Sequence, residues 1–504
     1  MLDEREEYAI GRVFTPVEWA MWLIDRFKVY EAWRCGARVF DPTCGRGAFF
    51  TALMMIARKR NERAGDEDLG RLTGIEINPG DRLEFLHSFK LNFGIDFPED
   101  NFVTGNFLDY RGERKFDIAI GNPPWANFTD LPEDFREKSK RHYIKYGLVV
   151  NRKDVLLGGS RTDISSLIIQ KCMINHVGPQ GCGYFYVPLS LFFNGNANRN
   201  FRPRAGQNSV FAVDEIIDFK GAAVFNGVST RYGAVALRSG KQQPQFVPLL
   251  KPSGNRSIYC RVSVDGDAWS MSRNTDGESA KAQVRVRSSQ KPRQGMNTGG
   301  LNKAFILERV TDTTDNLLEK EIFINGFGEE VEISTNYVFP LMGSHLFGGQ
   351  PAKRRRYILC LHHREGQALD EQRIHELYGV RDYLENHRAE MEGRKGVLMR
   401  ARMSKGRYWS LIGVGPYSFT RYKVAWESLG RRTFKAVVLE GCWQGNQAMH
   451  AYIPSESRDD AERICEELNR NVPAFLKSFG MEGTCNWAQP GRIKSMLVQK
   501  HQSA

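Results

Sequence analysis

The 504-residue chain has no Cys-x-x-Cys pair, and its nine cysteines are scattered. That argues against a disulfide framework and against a structural zinc site. No stretch is long and apolar enough to span a bilayer. The opening residues, MLDEREEYAIGR, are acidic and carry no apolar core, so they do not read as a signal peptide. There is no internal repeat. His345, His362 and His363 show no metal-ligand spacing and read as surface or loop histidines, so no metal is expected. What these absences leave is a cytosolic protein with reduced thiols.

What is present is a core-forming composition and an uneven charge. The length and a hydrophobic content of 41% predict two or three domains with a sizeable core. The formal net charge is +12 and the sequence pI about 9.2, a balance that favours polyanionic partners. Residues 351–435 hold 19 Lys or Arg against 9 Asp or Glu, so a net +10 lies in one stretch.

The apolar spacing predicts an amphipathic helix over 16–28 (PVEWAMWLIDRFK), with Pro16 in its first turn. ARVFD (37–41) reads as a strand, followed by the turn PTCGRG and a helix over 48–60. RLTGIEI (71–77) is a second strand and LEFLHSFKLNFG a second helix. NFVTGNF (101–107) and FDIAIG (116–121) are further strands, and SSLIIQKCMINHV (165–177) a helix. GCGYFYVPLS, VDEIIDF (213–219) and YGAVAL (232–237) complete a first domain over 1–240. This alternation predicts a doubly wound, mostly parallel α/β sheet. Residues 241–292 turn polar and basic and read as a linker or extended excursion, with a candidate strand at SIYCRVSV. A second domain spans 293–504.

In an open parallel sheet, ligands bind beyond the carboxyl ends of the strands. Three features fall there. The first is the turn Asp41-Pro42-Thr43-Cys44-Gly45-Arg46-Gly47, whose glycines let backbone approach a ligand; it is not the Gly-x-Gly-x-x-Gly signature. The second is Glu76, followed by Ile77, where a carboxylate can accept both hydroxyls of a ribose. The third is Asn106-Phe107, an amide and a ring that can pair with and cover an adenine. Glu76 also reads as a solvated loop acid, and Asn106 as a turn former.

IAIGNPPWANF (118–128) closes the fourth strand with two prolines and a ring. An exocyclic amine on a base ring is a poor nucleophile because its lone pair is delocalised. Acceptors on its two hydrogens favour a pyramidal nitrogen. The Asn122 side-chain oxygen and the Pro123 carbonyl suit that role, and the Pro123-Pro124 backbone preorganises it. Trp125 can stack on an extruded base. A rigid turn with a core Trp is the structural alternative.

The three cofactor features resemble the S-adenosylmethionine pocket of class I methyltransferases. Asn122-Pro123-Pro124-Trp125 resembles the Asn/Asp-Pro-Pro-aromatic motif of amino-methyltransferases. The wider order, with GRVFTPVEWAMWLIDRF before the turn, is similar to gamma-class DNA adenine-N6 methyltransferases. The resemblance implies that Thr15 touches the methionine end of the cofactor, that Ile168 in TDISSLIIQ (162–170) lies near its adenine, and that Asn122 and Pro124 also contact it. Phe225, in IIDFKGAAVFNGVSTRYGAVAL, is implied as the partner of Trp125 in a sandwich around the target base. The family usually carries a carboxylate where Asn106 stands, a role nearby Asp109 can take. RQGMNTGGLNKAFIL (293–307) resembles the opening of an α+β target-recognition domain, and YLENHRAEMEGR, RYWSLI, SFTRYKVAW and RRTFK fit its pattern.

In that second domain KRRRY, MRARMSKGRYW and FTRYKVAW interleave basic and aromatic residues. Basic side chains neutralise phosphates and arginines read guanine edges. The DNA-contact candidates are Arg354, Arg355, Arg356, Arg402, Lys405, Arg407, Arg421 and Lys423; a solvated face is the plain alternative for each run. The expected function is site-specific adenine-N6 methylation of double-stranded DNA in a bacterial or archaeal cytoplasm, within restriction-modification or phage defence. Also open are an RNA or protein glutamine methyltransferase and a non-catalytic DNA-specificity subunit with a relic pocket. The chain is expected to be a monomer. Its methyltransferase motifs begin by residue 11 and LEKEIF (318–323) lacks an upstream acid on a strand, so cleavage is expected from a separate nuclease or defence subunit.

Overall fold

A computed structural model describes residues 13–112, 115–149, 162–193, 198–219, 224–225, 228, 230–253, 256–264, 269–272, 284–287, 289–310, 318–350, 354–404, 406–429, 433–478, 488–494 and 496–499. The chain divides into two compact units, Met1–Gly277 and Glu278–Ala504. No described helix is long and apolar enough to cross a membrane.

The first unit is built on ten strands: β1 Val39–Asp41, β2 Leu72–Glu76, β3 Phe102–Thr104, β4 Phe116–Gly121, β5 Val177–Pro188, β6 Phe211–Asp218, β7 Tyr232–Ser239, β8 Phe246–Ser253, β9 Arg256–Ser263 and β10 Ser270–Ser272. They form one sheet in the order β10-β9-β8-β6-β7-β5-β4-β1-β2-β3. The half from β3 to β5 is parallel. β7 runs antiparallel between β5 and β6. β1 and β2 are buried at every position, as strands covered on both faces must be.

Five helices matter for the site: α1 Val17–Arg26, α2 Ala48–Lys59, α3 Pro79–Phe93, α4 Glu133–Lys145 and α5 Ile164–Asn175. Local chemistry sets their ends. Asn78 caps α3, its Oδ1 accepting from Gly80 N at 2.8 Å, with Pro79 in the first position and Gly94 at φ 70° closing the helix. Asp163 caps α5 through Ser165 N at 2.9 Å. Pro16 sits just before α1 as its cap rather than inside its first turn.

β1 lies between β2 and β4, so the chain leaves it toward opposite sides of the sheet. Such a switch point opens a crevice at the strand ends. The turn after β1 and the loop after β4 meet there: a Cβ on Gly121 would sit 2.8 Å from Asp41 Oδ1.

The expected linker over 241–292 is divided instead. β8 pairs parallel with β6, and β9 and β10 follow antiparallel, so the first unit's sheet runs on to Ser272. Val247, Leu249, Val262, Val264 and Trp269 join its core, which the polar residues around them conceal in the sequence. Residues 273–283 lie outside the described residues.

Among the described strands of the second unit the pairing is antiparallel apart from one short parallel pair, β11 Val284–Val286 with β21 Leu497–Gln499. Its five-stranded sheet has the order β15-β14-β13-β17-β16, from β13 Ile306–Arg309, β14 Lys320–Ile324, β15 Glu330–Ser334, β16 Val338–Pro340 and β17 Arg356–Leu359. Its four-stranded sheet has the order β12-β20-β18-β19, from β12 Arg293–Gln294, β18 Tyr422–Glu427, β19 Ala436–Glu440 and β20 His450–Ser455. Helix α6, Arg458–Ser478, covers the latter. Its Ala461, Ile464, Leu468, Val472 and Leu476 recur at helical spacing and are all fully buried with Val424, Trp426 and Ile453. Each large aliphatic there contributes ~1.5–3 kcal/mol by leaving water.

Candidate active site

The turn after β1 is held against β2. Cys44 N donates to Ile75 O at 2.9 Å, and Gly45 N to Glu76 Oε2 at 2.8 Å. Asn78 N donates to the other carboxylate oxygen, Oε1, at 2.9 Å. Glu76 is thus buried and fixed at the strand end rather than being a solvated loop acid. Gly47 has φ 67°, and a Cβ there would reach 2.2 Å from the Phe85 ring, so only glycine fits. Asp41 is buried, and burial pushes its carboxyl up to about 8, with the Glu76 charge adding to the rise against the Thr43 N–H that lowers it. Thr43 Oγ1 is buried with no hydrogen-bond partner among the described residues. Pro42 and Cys44 are buried beneath the turn, and Ile77, next to Glu76, stands 54% exposed. Thr15 is half-buried just before α1, and Ile168 is buried on α5.

The third cofactor feature differs from expectation. Asn106 Oδ1 turns back to accept from Leu108 N at 2.9 Å, making it a turn former. Phe107 is buried, packing against Phe40 and His176, so its ring is core rather than a cover for a ligand. Asp109 is tied to Arg141 at 2.8 Å. Lys171 on α5, which carries no sequence signal, holds this turn from below by donating to Phe107 O and Tyr110 O. Burial lowers its ammonium to about 8.

Beyond β4, Asn122 Nδ2 donates to Val13 O at 3.2 Å. That contact orients the amide and leaves Asn122 Oδ1 buried with no partner among the described residues. Pro123 is buried and Pro124 half-buried. The chain then locks onto the start of α5: Phe128 N donates to Thr162 O, and Ile164 N to Ala126 O, both at 2.9 Å. Buried orphan acceptors are rare in folded proteins and call for an explanation.

Trp125 and Phe225 are neighbours, but not as a sandwich. Their ring centroids are 5.3 Å apart at an interplanar angle of 89°. A base between two rings needs parallel faces roughly 7 Å apart, twice a stacking contact. Phe225 is instead 4% exposed and wedged edge-on against Trp125, Tyr186 and Tyr232. Tyr232 is a neighbour that sequence reasoning missed. Its hydroxyl accepts from Val224 N and Phe225 N at 3.0 and 3.3 Å, and its ring lies 5.5 Å from Trp125 at 31°.

In the second unit the basic candidates separate. Arg354, Arg355, Arg356 and Arg402 are exposed. Arg407 donates to Ala368 O at 2.9 Å, and Arg421 is exposed but paired with Glu440 at 2.9 Å. Lys405 lies outside the described residues. Lys423 is a correction: it is fully buried on β18, donates to Thr420 O at 3.3 Å, and burial lowers it to about 8. β18 is buried at every position, so the Lys423 side chain sits in packed protein rather than against phosphate. The interleaved aromatics Tyr357, Tyr408, Trp409, Tyr422 and Trp426 are likewise buried. Arg394, missed in the sequence, anchors the basic segment from inside. It donates to Met391 O, Thr298 O and Ser410 O at 2.9, 3.0 and 2.9 Å, and to Tyr408 O. Of the two acids of LEKEIF, Glu319 is exposed and Glu321 is buried in an ion pair with Arg309.

The sheet and the crevice between β1 and β4 define the class I methyltransferase fold. A family model, the Eco57I restriction-modification methylase, matches residues 76–225. The Type II methyltransferase M.NspV of Nostoc sp. is 35% identical over 412 residues, covering 77% of this chain and 75% of the relative. M.HincII of Haemophilus influenzae is 23% identical over 230 residues, and M.CvrRI of a Paramecium bursaria Chlorella virus 22% over 190. The chain spans 37% and 39% of the length of those two. Among solved structures, the Type IIL restriction-modification enzyme MmeI in complex with DNA superposes with TM-score 0.53 at 13% identity, covering 90% of this chain and 62% of that one. The chain belongs to the Type II methyltransferases of restriction-modification systems. That family implies S-adenosylmethionine, and the fixed Glu76 carboxylate, the glycine turn and Thr43 Oγ1, which has no partner among the described residues, fit such a ligand.

Proposed function

We propose that the chain is a site-specific DNA adenine-N6 methyltransferase, with catalysis in the first unit and target recognition in the second. The observation that carries this reading is Asn122 Oδ1, a buried acceptor at the carboxyl end of β4 with no partner among the described residues. Glu76, Thr15, Asp41 and the 42–47 turn would hold S-adenosylmethionine, with Ile77 and Ile168 toward its adenine. When bound, it supplies a methyl carbon activated by positive sulfur. Asn122 Oδ1 and the Pro123 carbonyl accept the two hydrogens of the target amine and localise its lone pair. Trp125 stacks on the extruded base. Exposed Arg354, Arg355, Arg356 and Arg402 neutralise DNA phosphates.

Glu76→Ala is expected to weaken S-adenosylmethionine binding about tenfold or more, since a charge-assisted hydrogen bond contributes ~1.5–3 kcal/mol. Calorimetry reads this directly, and an unchanged affinity moves the ribose contact elsewhere. The overall reading is tested by incubating the purified protein with duplex DNA, Mg²⁺ and S-adenosylmethionine, then mapping modified bases by long-read sequencing. The expected product is DNA carrying N6-methyladenine at one sequence and left uncut. Specific double-strand breaks would sink the methylation-only reading, and methyl groups found only on RNA or protein would replace DNA as substrate.

A further inference from the structure

An amide is two-faced: turned about its last bond, Oδ1 and Nδ2 exchange places. With nitrogen in the acceptor's position, a substrate amine would meet donor hydrogens rather than lone pairs. The carbonyl of Val13 selects the orientation here, because it accepts from Asn122 Nδ2 at 3.2 Å. Val13 lies in the short segment before α1, so the acceptor is only as well oriented as that segment is held.

The next residue does the holding. Phe14 is 42% exposed, a large ring that the core does not claim. It lies over the turn after β1: a Cβ on Gly45 would be 3.7 Å from its Cδ1 and Cε1. Arg46, in the same turn, places its guanidinium 4.6 Å from the ring centroid. Arg46 is itself anchored to α3, its Nε donating to Asp81 Oδ1 at 3.0 Å and its Nη1 lying 3.0 Å from Glu84 Oε1. Strap, turn and helix are thereby linked through one ring.

We propose that Phe14 is a positioning residue: clamped onto Gly45 and Arg46 of the cofactor turn, it keeps the Val13 carbonyl where it sets the Asn122 amide. The cofactor site and the acceptor of the target amine are then mechanically coupled. This rests on the reading of Asn122 as that acceptor.

The test uses the full chain with Phe14→Ala, Phe14→Tyr, Asn122→Ala and the Phe14→Ala/Asn122→Ala double variant. At saturating DNA and cofactor, Phe14→Ala is expected to lower kcat roughly 10–100-fold, the scale of a misplaced reacting group, with an unchanged melting temperature. Phe14→Tyr keeps the ring and should stay within about twofold of wild type. In the Asn122→Ala background, Phe14→Ala should cost less than about twofold more, because coupled residues are not additive. A crystal structure of Phe14→Ala should show the Asn122 amide released from Val13 O. Full additivity, an unchanged kcat, or an amide still seated on Val13 each overturns the proposal. If wild type methylates no substrate, the reading of the site fails, and the crystal structure alone decides whether Phe14 orients the amide.

Discussion

Replacing Asn122 with alanine is expected to lower methyl transfer by about 10²–10³-fold, the usual cost of removing one preorganised polar group aimed at a transition state. Cofactor affinity should change little, because the role proposed for Asn122 is on the amine as its lone pair localises rather than on the bound ground state. The geometry explains why the loss is large. Asn122 Oδ1 is already out of water and has no partner among the described residues, so it needs no desolvation when the substrate arrives. Its direction is set by the Nδ2 contact to Val13 O, so it needs no reorientation either. Single-turnover transfer of a labelled methyl group, with calorimetry alongside, measures both quantities. Turnover within a few-fold of wild type would remove Asn122 from the chemistry.

Arg394→Ala is expected to destabilise the second unit by at least ~3 kcal/mol. Arg394 is 5% exposed and serves four backbone carbonyls with one guanidinium. Its loss strands several buried acceptors at ~1–3 kcal/mol each. Burial lowers its pKa to about 10, so it still carries its charge at neutral pH. The carbonyls it binds come from residues 298, 391, 408 and 410, which brackets the segment that carries Arg402. DNA affinity should therefore fall together with stability, while S-adenosylmethionine binding persists. Arg394→Lys should recover less than half of the loss, since an ammonium has three donors and no planar fork. Urea unfolding followed by circular dichroism checks this, and an unchanged midpoint for Arg394→Ala would show that the carbonyls find other partners.

Much of the first unit was legible in the sequence. β1, β2, β4 and β5 are apolar runs bounded by Gly, Pro or Asn, and strands of a covered parallel sheet need only that pattern. The Gly45/Gly47 turn, Glu76 and Asn122 could be placed because each stands at a strand's carboxyl end, where chain order alone implies the crevice. The polar text around β8 and β10 hid those two strands, though β9 was expected at SIYCRVSV, because only alternate residues such as Val247 and Leu249 face the core.

What sequence by itself determined is the set of groups whose position follows from the backbone: strand ends, the proline-stiffened loop and the glycine turn. What tertiary structure decided is the direction and company of side chains. Lys423 and Arg402 look alike in the chain, yet one is buried on an inner strand and the other exposed. The aromatics between the arginines proved to be core: Tyr357, Tyr422 and Trp426 sit on the buried strands β17 and β18, and Tyr408 and Trp409 in a buried turn. Trp125 and Phe225 lie adjacent but meet edge-on, their angle set by Tyr186 from β5 and Tyr232 from β7. The physical reason is the same in each case. Backbone hydrogen bonding and chain stiffness are local and are written in consecutive residues, whereas burial, ring angle and amide orientation depend on neighbours brought from distant parts of the chain.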